Sequence, residues 1–185
     1  MANINFDPKK FRQVLGSYGT GVAVITTLNA DKEDIGVTVN SFSSVSLDPP
    51  LILFSMANTS NSTAAFIFSR KFVVNMVALD QEVIAMNFSR PSTADWSSVY
   101  TCPAENGCVK ISGSLAYFEC NLECTYKGGD HVILIGRVTK FELTSEKLPL
   151  IFFKGGYGTF KKNSVNQDAI NSLKDLDYFE QGWAL

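Results

Sequence analysis

The side chain best suited to acid–base chemistry is His131, because it is the one histidine among 185 residues and an unperturbed imidazole titrates near neutral pH. It follows the turn sequence Gly128-Gly129-Asp130, at the start of a predicted strand. Ligands commonly bind at such an end of a barrel. A histidine hydrogen-bonded only to Asp130 or to solvent fits the same position, and position alone favours that plainer interpretation.

Other kinds of catalytic site find little support in the sequence. A catalytic triad of a serine, His131 and Asp130 is not supported, since no GxSxG elbow presents a nucleophile. In addition, neighbouring strand residues such as Asp130 and His131 are expected to point to opposite faces. No acidic pair suits glycoside hydrolysis, and no metal, phosphate-loop or GxGxxG motif is present. The four cysteines form no CxxC pair, and Cys120 and Cys124 are interpreted as buried, reduced thiols.

Two clusters of hydroxyl and amide side chains are the other candidates for binding. A helix N-terminus suits a phosphate, and uncharged hydroxyls and amides suit the polar edge of a flavin ring. Two ordinary loops with helix caps have the same composition, and composition alone favours that alternative. The first cluster holds Thr38, Asn40, Ser41, Ser43, Ser44 and Ser46 at a strand end, and the second holds Ser60, Asn61, Ser62 and Thr63 before a predicted helix.

The elements that must position these side chains are mostly strands. Residues 114–127 alternate apolar and polar side chains, which predicts a half-buried antiparallel strand with Glu119 on its polar face. A turn at 128–130 leads to a partner strand over 131–143. At the start of the chain, Asp7 is a predicted cap, Pro8 fits the first helical position, and Phe6 and Phe11 form a hydrophobic staple.

Further segments complete the predicted fold. Strands are expected over 21–27, from 35 into the serine-rich segment, over 51–56 at the centre of the sheet, and over 72–77 and 149–153. Short helices are expected over 64–69 and 80–88, an irregular stretch over 89–107, and a glycine-rich bend over 155–158. Six or seven strands with few helices predict a mainly β protein, a barrel with short peripheral helices. Residues 1–160 form the barrel domain, and 161–185 form a polar C-terminal arm with a modest helical pattern at Ala169, Leu173 and Leu176.

Composition excludes several classes of function. A net charge of −2 and a pI of about 5.4 give no positive field for nucleic acid. The first residues lack the pattern of a signal peptide and no apolar run is long enough for a membrane span, so the expected compartment is the cytoplasm.

Several motifs together resemble one family. The run GVTVNSFSSVSLDPP over 36–50 is very similar to the signature of the flavin reductase-like family, whose fold is the flavin-binding split barrel. Each further match is weak alone, but the ordered set covers about 8–160 and is specific. The further matches are Phe11-Arg12 to Leu15-Gly16, Thr20-Gly21-Val22, Val24-Ile25-Thr26-Thr27, Phe72-Val73-Val74-Asn75, Gly129-Asp130-His131, Ile135-Gly136-Arg137-Val138, and Pro149-Leu150 followed by Gly156-Tyr157.

The resemblance implies an NAD(P)H:flavin oxidoreductase, a homodimer that binds FMN or FAD near the subunit interface. Its implied setting is the reductase component of a two-component monooxygenase, which supplies reduced flavin to a separate oxygenase. The lack of an arginine cluster for a 2′-phosphate favours NADH over NADPH. One alternative is a non-catalytic flavin- or haem-binding protein on the same fold, and another is an oxidoreductase that retains its flavin and reduces a different substrate.

Residue roles follow from the same resemblance. His131 is the implied catalytic residue and Tyr157 lies near the nicotinamide, while Asn61, Ser62 and Thr63 hold the phosphate side. Many relatives carry an arginine where this chain has Asn61. The charged phosphate would then be bound by backbone groups, by hydroxyls and by the candidates Arg12, Arg70 or Arg90. The segment along the isoalloxazine comprises Thr38, Asn40, Ser41, Phe42, Ser43, Ser44 and Ser46.

Overall fold

A computed structural model describes residues 6–90 and 94–160, so the predicted arm over 161–185 lies outside the described residues. The strands are β1 Thr20–Gly21, β2 Ala23–Leu28, β3 Asp34–Val39, β4 Ser43–Leu47, β5 Pro50–Ala57, β6 Lys71–Met76, β7 Thr101–Pro103, β8 Val109–Ile111, β9 Ala116–Gly128, β10 His131–Leu143, β11 Leu150–Phe153 and β12 Gly156–Thr159. The helices are α1 Pro8–Leu15, α2 Thr63–Ser69 and α3 Glu82–Phe88, with a 3-10 turn at Leu79–Gln81.

Seven antiparallel strands form the main sheet, in the order β3-β2-β6-β9-β10-β5-β4. The sheet curls so that β3 contacts β5, yet no ladder of hydrogen bonds joins them within the described residues. The barrel is therefore split between β3 and β5. The prediction of a mainly β split barrel with short peripheral helices is confirmed.

Aromatic side chains fill the interior of this barrel. Phe54, Phe66 and Phe72 are fully buried, and their ring centroids lie 5.2–6.3 Å apart in edge-to-face arrangements. Such pairs add to the free energy gained by burying the rings. Gly136 of β10 allows this packing, because a Cβ there would lie 2.4 Å from Cζ of Phe72.

The long hairpin β9–β10 forms as predicted, but its turn is one residue shorter, because Gly128 ends β9 and pairs with His131. The expectation of an exposed polar face on β9 is wrong for Glu119, which is 1% exposed. Tyr117, two residues earlier on the same face, is 6% exposed. The β7–β8 hairpin, whose first strand lies inside the stretch expected to be irregular over 89–107, covers this face. Its main chain at Asn106 donates a hydrogen bond of 3.0 Å to Oε2 of Glu119.

Other strands differ from the sequence prediction in their partners. The segment expected as one strand over 21–27 divides, with β1 in a small sheet β1-β11-β12 and β2 in the main sheet. The serine-rich segment forms its own edge strand, β4, and β5 lies next to that edge and not at the centre. The glycine-rich bend contains a strand, β12. These differences arise because sheet order depends on contacts distant in sequence.

The start of α1 is built as predicted. Oδ1 of Asp7 accepts hydrogen bonds from the backbone of Lys9 at 2.8 Å and of Lys10 at 3.3 Å. The ring centroids of Phe6 and Phe11 lie 5.0 Å apart, which completes the staple. No residue of α1 is buried, so local interactions alone define this helix.

Candidate active site

A cavity of about 940 Å³ lies at the split between β3 and β5. Its size falls within the ~300–1,000 Å³ typical of small-molecule sites. Apolar walls come from β3, β5 and α2, and polar groups come from the segments that follow β3 and β5. The lining residues with polar side chains are Asn29, Thr38, Asn40, Ser41, Ser55, Thr59, Ser60, Asn61, Ser62, Ser89 and His131.

Two hydroxyls fix the wall formed by β3 and the residues after it. Oγ of Ser41 accepts a hydrogen bond from the Ser55 N–H at 2.9 Å and donates to the Ser55 carbonyl at 3.2 Å. Oγ1 of Thr38 donates to the Ala85 carbonyl of α3 at 2.7 Å. The hydroxyl protons of Ser41 and Thr38 are thus used within the protein, and these side chains shape the cavity wall.

The loop between β5 and α2 is tied to the turn that precedes His131. The Asn58 backbone donates to the Asp130 carbonyl at 2.9 Å, and its side-chain amide donates to the Gly129 carbonyl at 3.1 Å. The second polar cluster and His131 therefore belong to one connected rim. A ligand across the cavity meets both at fixed positions.

The Ser60 hydroxyl is a candidate contact for a ligand in the cavity. Its Oγ is buried and has no hydrogen-bond partner among the described residues, and the residue lines the cavity. An unsatisfied buried hydroxyl costs about 1–3 kcal/mol. A ligand with a polar oxygen or nitrogen at this end of the cavity removes that cost.

His131 lies at the cavity edge with its side chain 45% exposed. Nδ1 lies 2.7 Å from Oδ1 of Asp130. The expectation that these neighbours point apart is wrong, because Asp130 occupies the turn and only His131 is in the strand. The hydrogen bond from His131, and then its charge, lower the pKa of Asp130. An ionised carboxylate only accepts hydrogen bonds, so Nδ1–H of His131 is the donor to Asp130 and Nε2 is left for a ligand.

Tyr157 lines a smaller adjoining cleft of about 160 Å³. The cleft and the main cavity share Thr38, Val39, Asn40 and Ser89, so the two spaces are contiguous. Burial, and then the Glu82 carboxylate, raise the pKa of Tyr157. The phenol therefore keeps its proton at neutral pH.

The structure brings together about half of the residues that sequence reasoning selected. Thr38, Asn40, Ser41, Asn61, Ser62 and His131 line the cavity, and Tyr157 lines the cleft. The others line neither space. Phe42 stacks on Phe118 with centroids 6.0 Å apart, Thr63 bonds to the Ala57 carbonyl at 3.2 Å, and Ser43, Ser44 and Ser46 lie in the edge strand β4.

Sequence reasoning missed Ser55 and Ser89. Ser55 is the one hydroxyl in the apolar run LILFSM, and that contrast was a usable signal. Ser89 follows α3 and lines both spaces, but nothing in its local sequence marks it.

Neither space is lined by a lysine or arginine of the described residues. Arg70 lies at the far end of α2, where its guanidinium donates to the Leu122 carbonyl at 3.1 Å. Arg12 and Arg90 are exposed and also absent from the lining. An anionic group in the cavity would be met by hydroxyls, amides and backbone.

Comparison with protein families decides the classification. The model of the flavin reductase like domain matches residues 15–161. The chain belongs to the flavin reductase-like family. Within the described residues of this family member, no helix is both long and apolar enough to cross a membrane.

Relatives of this flavin reductase-like chain include reductase subunits. It is 38% identical over 151 residues to the flavin-dependent monooxygenase reductase subunit HsaB of Rhodococcus jostii, covering 82% of this chain and 77% of that one. It is 39% identical over 154 residues to a probable flavin reductase of Rhizobium meliloti, covering 83% of this chain. The match spans only 49% of that relative's length.

A solved structure agrees with the family membership. The Streptomyces globisporus NADH:FAD oxidoreductase SgcE6, in complex with NAD and FAD fragments, superimposes with a TM-score of 0.80 at 31% identity. The match covers 86% of this chain and 98% of that one.

Proposed function

We propose that this chain transfers hydride from NADH to FMN or FAD and supplies the reduced flavin to a separate oxygenase. The observation that carries the proposal is the cavity at the barrel split, with uncharged polar groups, one histidine and an orphaned Ser60 hydroxyl. Its continuity with the Tyr157 cleft gives room for a second ring beside the first. Membership of the flavin reductase-like family supports the same activity.

The residues present fit a flavin. Val37, Val39 and Met56 offer apolar wall to a planar ring, while the exposed side-chain amide of Asn40 offers polar groups to its edge. Ser60, Asn61 and Ser62 offer donors to the phosphate side without a formal charge. When bound, flavin and nicotinamide supply the hydride chemistry.

The protein's task in this reaction is alignment. His131, with its tautomer set by Asp130, and Tyr157, with its retained proton, hold the nicotinamide side by hydrogen bonds. Rigid positioning of two reactants lowers the barrier without a nucleophile or metal. His131 is accordingly a candidate catalytic residue that touches the cofactors.

The quaternary assignments are part of the same proposal. The reductase-subunit name of the Rhodococcus jostii relative supports an oxygenase partner. Exposed aromatic residues on the described surface, among them Tyr126 and Phe141, support a homodimer.

The decisive experiment measures NADH oxidation by its absorbance, with and without added FMN or FAD. His131→Ala should slow turnover by roughly one to two orders of magnitude while flavin binding, followed by fluorescence, is retained. Lys127→Ala is the matched control, because Lys127 is exposed on the same hairpin and lines neither space.

The outcomes separate the alternatives. Flavin binding without NADH oxidation would replace the proposal with a non-catalytic flavin-binding protein. A purified yellow protein that oxidises NADH only with a third substrate would identify a flavin-retaining oxidoreductase. Equal loss of turnover in His131→Ala and Lys127→Ala would remove the role of His131.

A further inference from the structure

The helix α1 presents an apolar stripe that nothing described covers. Phe11, Val14 and Leu15 are 47%, 64% and 56% exposed, and their spacing places them on one helix face. Tyr18 continues the spacing and is 78% exposed. Contiguous exposed apolar surface of this kind marks an interaction site. We call Phe11, Val14 and Leu15 the α1 stripe.

Cations flank the α1 stripe. Lys9, Lys10 and Arg12 give α1 a charge of +3, and no acidic residue lies within the helix. A segment that covers the stripe should therefore be apolar along one face and acidic beside it.

The last part of the chain has that composition. Ala169, Leu173, Leu176 and Trp183 share one face if the segment is helical, with Glu180 on the same face between the last two. Residues 163–185 contain four acidic residues and one lysine, a net charge of −3 opposite to that of α1. The acidic residues are Asp168, Asp175, Asp177 and Glu180.

The place where the described residues end brings this segment close to α1. The Gly16 carbonyl, just after α1, accepts a hydrogen bond from the Lys154 backbone at 2.8 Å. From that turn, the four residues of β12 lead to Phe160, a distance of about 13 Å at strand geometry. A linker over 161–167 spans up to about 23 Å more. The segment after it reaches α1 of the same chain without strain.

We propose that residues 168–185 dock on the α1 stripe of their own chain through Ala169, Leu173, Leu176 and Trp183. The acidic side chains of the segment lie beside Lys9, Lys10 and Arg12. Since α1 is bonded to the β11–β12 turn and β12 carries Tyr157, docking holds the strand that forms the wall of the cleft. The inference does not depend on flavin chemistry.

The test uses the two tryptophans of the chain, Trp96 and Trp183. Incorporation of 5-fluorotryptophan gives two fluorine NMR signals, assigned with Trp183→Phe. The triple change Phe11→Ser, Val14→Ser and Leu15→Ser should move the Trp183 signal to its position in a free peptide of residues 161–185. Gln13→Ser, on the same helix away from the stripe, should leave it in place.

Trp96 reports on folding in the same spectra, because its ring packs 4.6 Å from that of Phe88. An unmoved Trp96 signal shows that the barrel is intact in the triple variant. A Trp183 signal that is identical in wild type, triple variant and free peptide would overturn the proposal.

Zero-length carbodiimide cross-linking distinguishes whether the segment on the α1 stripe comes from the same chain or from a second copy. In an equal mixture of ¹⁴N- and ¹⁵N-labelled chains, links from Lys9 or Lys10 to Asp175 or Asp177 should join residues of one label. Links of mixed label would show that the α1 stripe is covered by a second copy, and would refute docking within one chain.

Discussion

Two polar regions of the same barrel use similar side chains to different effect. In the cavity at the split, the Ser60 hydroxyl has no partner and Asn40 is exposed. Under the β7–β8 hairpin, Asn75 is fully buried and every polar atom of its amide is used. It donates to the Val24 carbonyl at 3.0 Å and to Oγ1 of Thr26 at 3.3 Å, and accepts from the Ile111 N–H at 2.8 Å.

The difference lies in what covers each region. The β7–β8 hairpin supplies backbone partners to Asn75, Thr26 and Oε2 of Glu119 beneath it, although Oε1 of Glu119 has no partner among the described residues. No described element covers the split between β3 and β5, and polar groups there remain available to a ligand. Serine and asparagine thus mark binding only where the fold leaves them a vacant space.

The largest expected effect is on the covered region. Asn75→Ala removes three hydrogen bonds and leaves buried groups without partners, which should lower the free energy of unfolding by roughly 3 kcal/mol. Urea denaturation measures the change. Asn40→Ala, the same truncation at the exposed position, should cost less than about 0.5 kcal/mol. An equal loss in the free energy of unfolding for Asn75→Ala and Asn40→Ala would contradict the distinction between a covered and an uncovered polar region.

A second substitution tests the uncovered region. Ser60→Ala should weaken flavin binding about tenfold, the value of one lost hydrogen bond to a ligand, measured by fluorescence titration. Stability without ligand should not fall, because the lost hydroxyl had no partner. Ser17→Ala, at an exposed position that lines neither space, is the control. A loss of stability with unchanged flavin affinity would assign Ser60 to the structure.

The smallest expected effect is on the pH dependence of the free energy of unfolding, through a thiol in the covered region. Burial raises the pKa of the Cys108 thiol from 9.0 to about 11. The folded state therefore favours the protonated thiol, and its contribution to stability is present below pH 9 and is lost as the pH rises to about 11. Urea denaturation across this window should show a shallower pH dependence for Cys108→Ala than for wild type.

Exposed Cys102 provides the matched control. Cys102→Ala should keep the pH dependence of wild type. If the free energy of unfolding has the same pH dependence in Cys108→Ala and Cys102→Ala, the Cys108 thiol is not protected from solvent in the folded state.

Local features were predictable because neighbouring residues determine them. The Asp7 cap, the Phe6–Phe11 staple and the hairpin turn before His131 each depend on a few adjacent positions, and each is confirmed, the turn with one residue fewer than the predicted 128–130. The wrong exposure of Glu119 has the opposite cause. Its own strand alternates as expected, but a hairpin ten or more residues earlier in sequence folds over it.

The candidate site was predicted in composition more than in geometry. The clusters at 38–46 and 60–63 contain most of the polar lining, yet strand pairing turns Ser43, Ser44 and Ser46 away into β4. Ser43 and Ser44 are neighbours and point to opposite faces of β4, so neither face of this edge strand lines the cavity. The position of β4, paired with β5 at the edge of the main sheet, excludes these hydroxyls.

The sequence by itself determined the Asp7 cap, the long hairpin, the mainly β class and, through ordered motifs, the family. Only the tertiary structure decided that the split lies between β3 and β5, that Ser55 and Ser89 border it, and that Asn75 is structural. The physical reason is range: propensity and alternation act over a few residues, whereas a cavity is the space left between segments that long-range packing brings together.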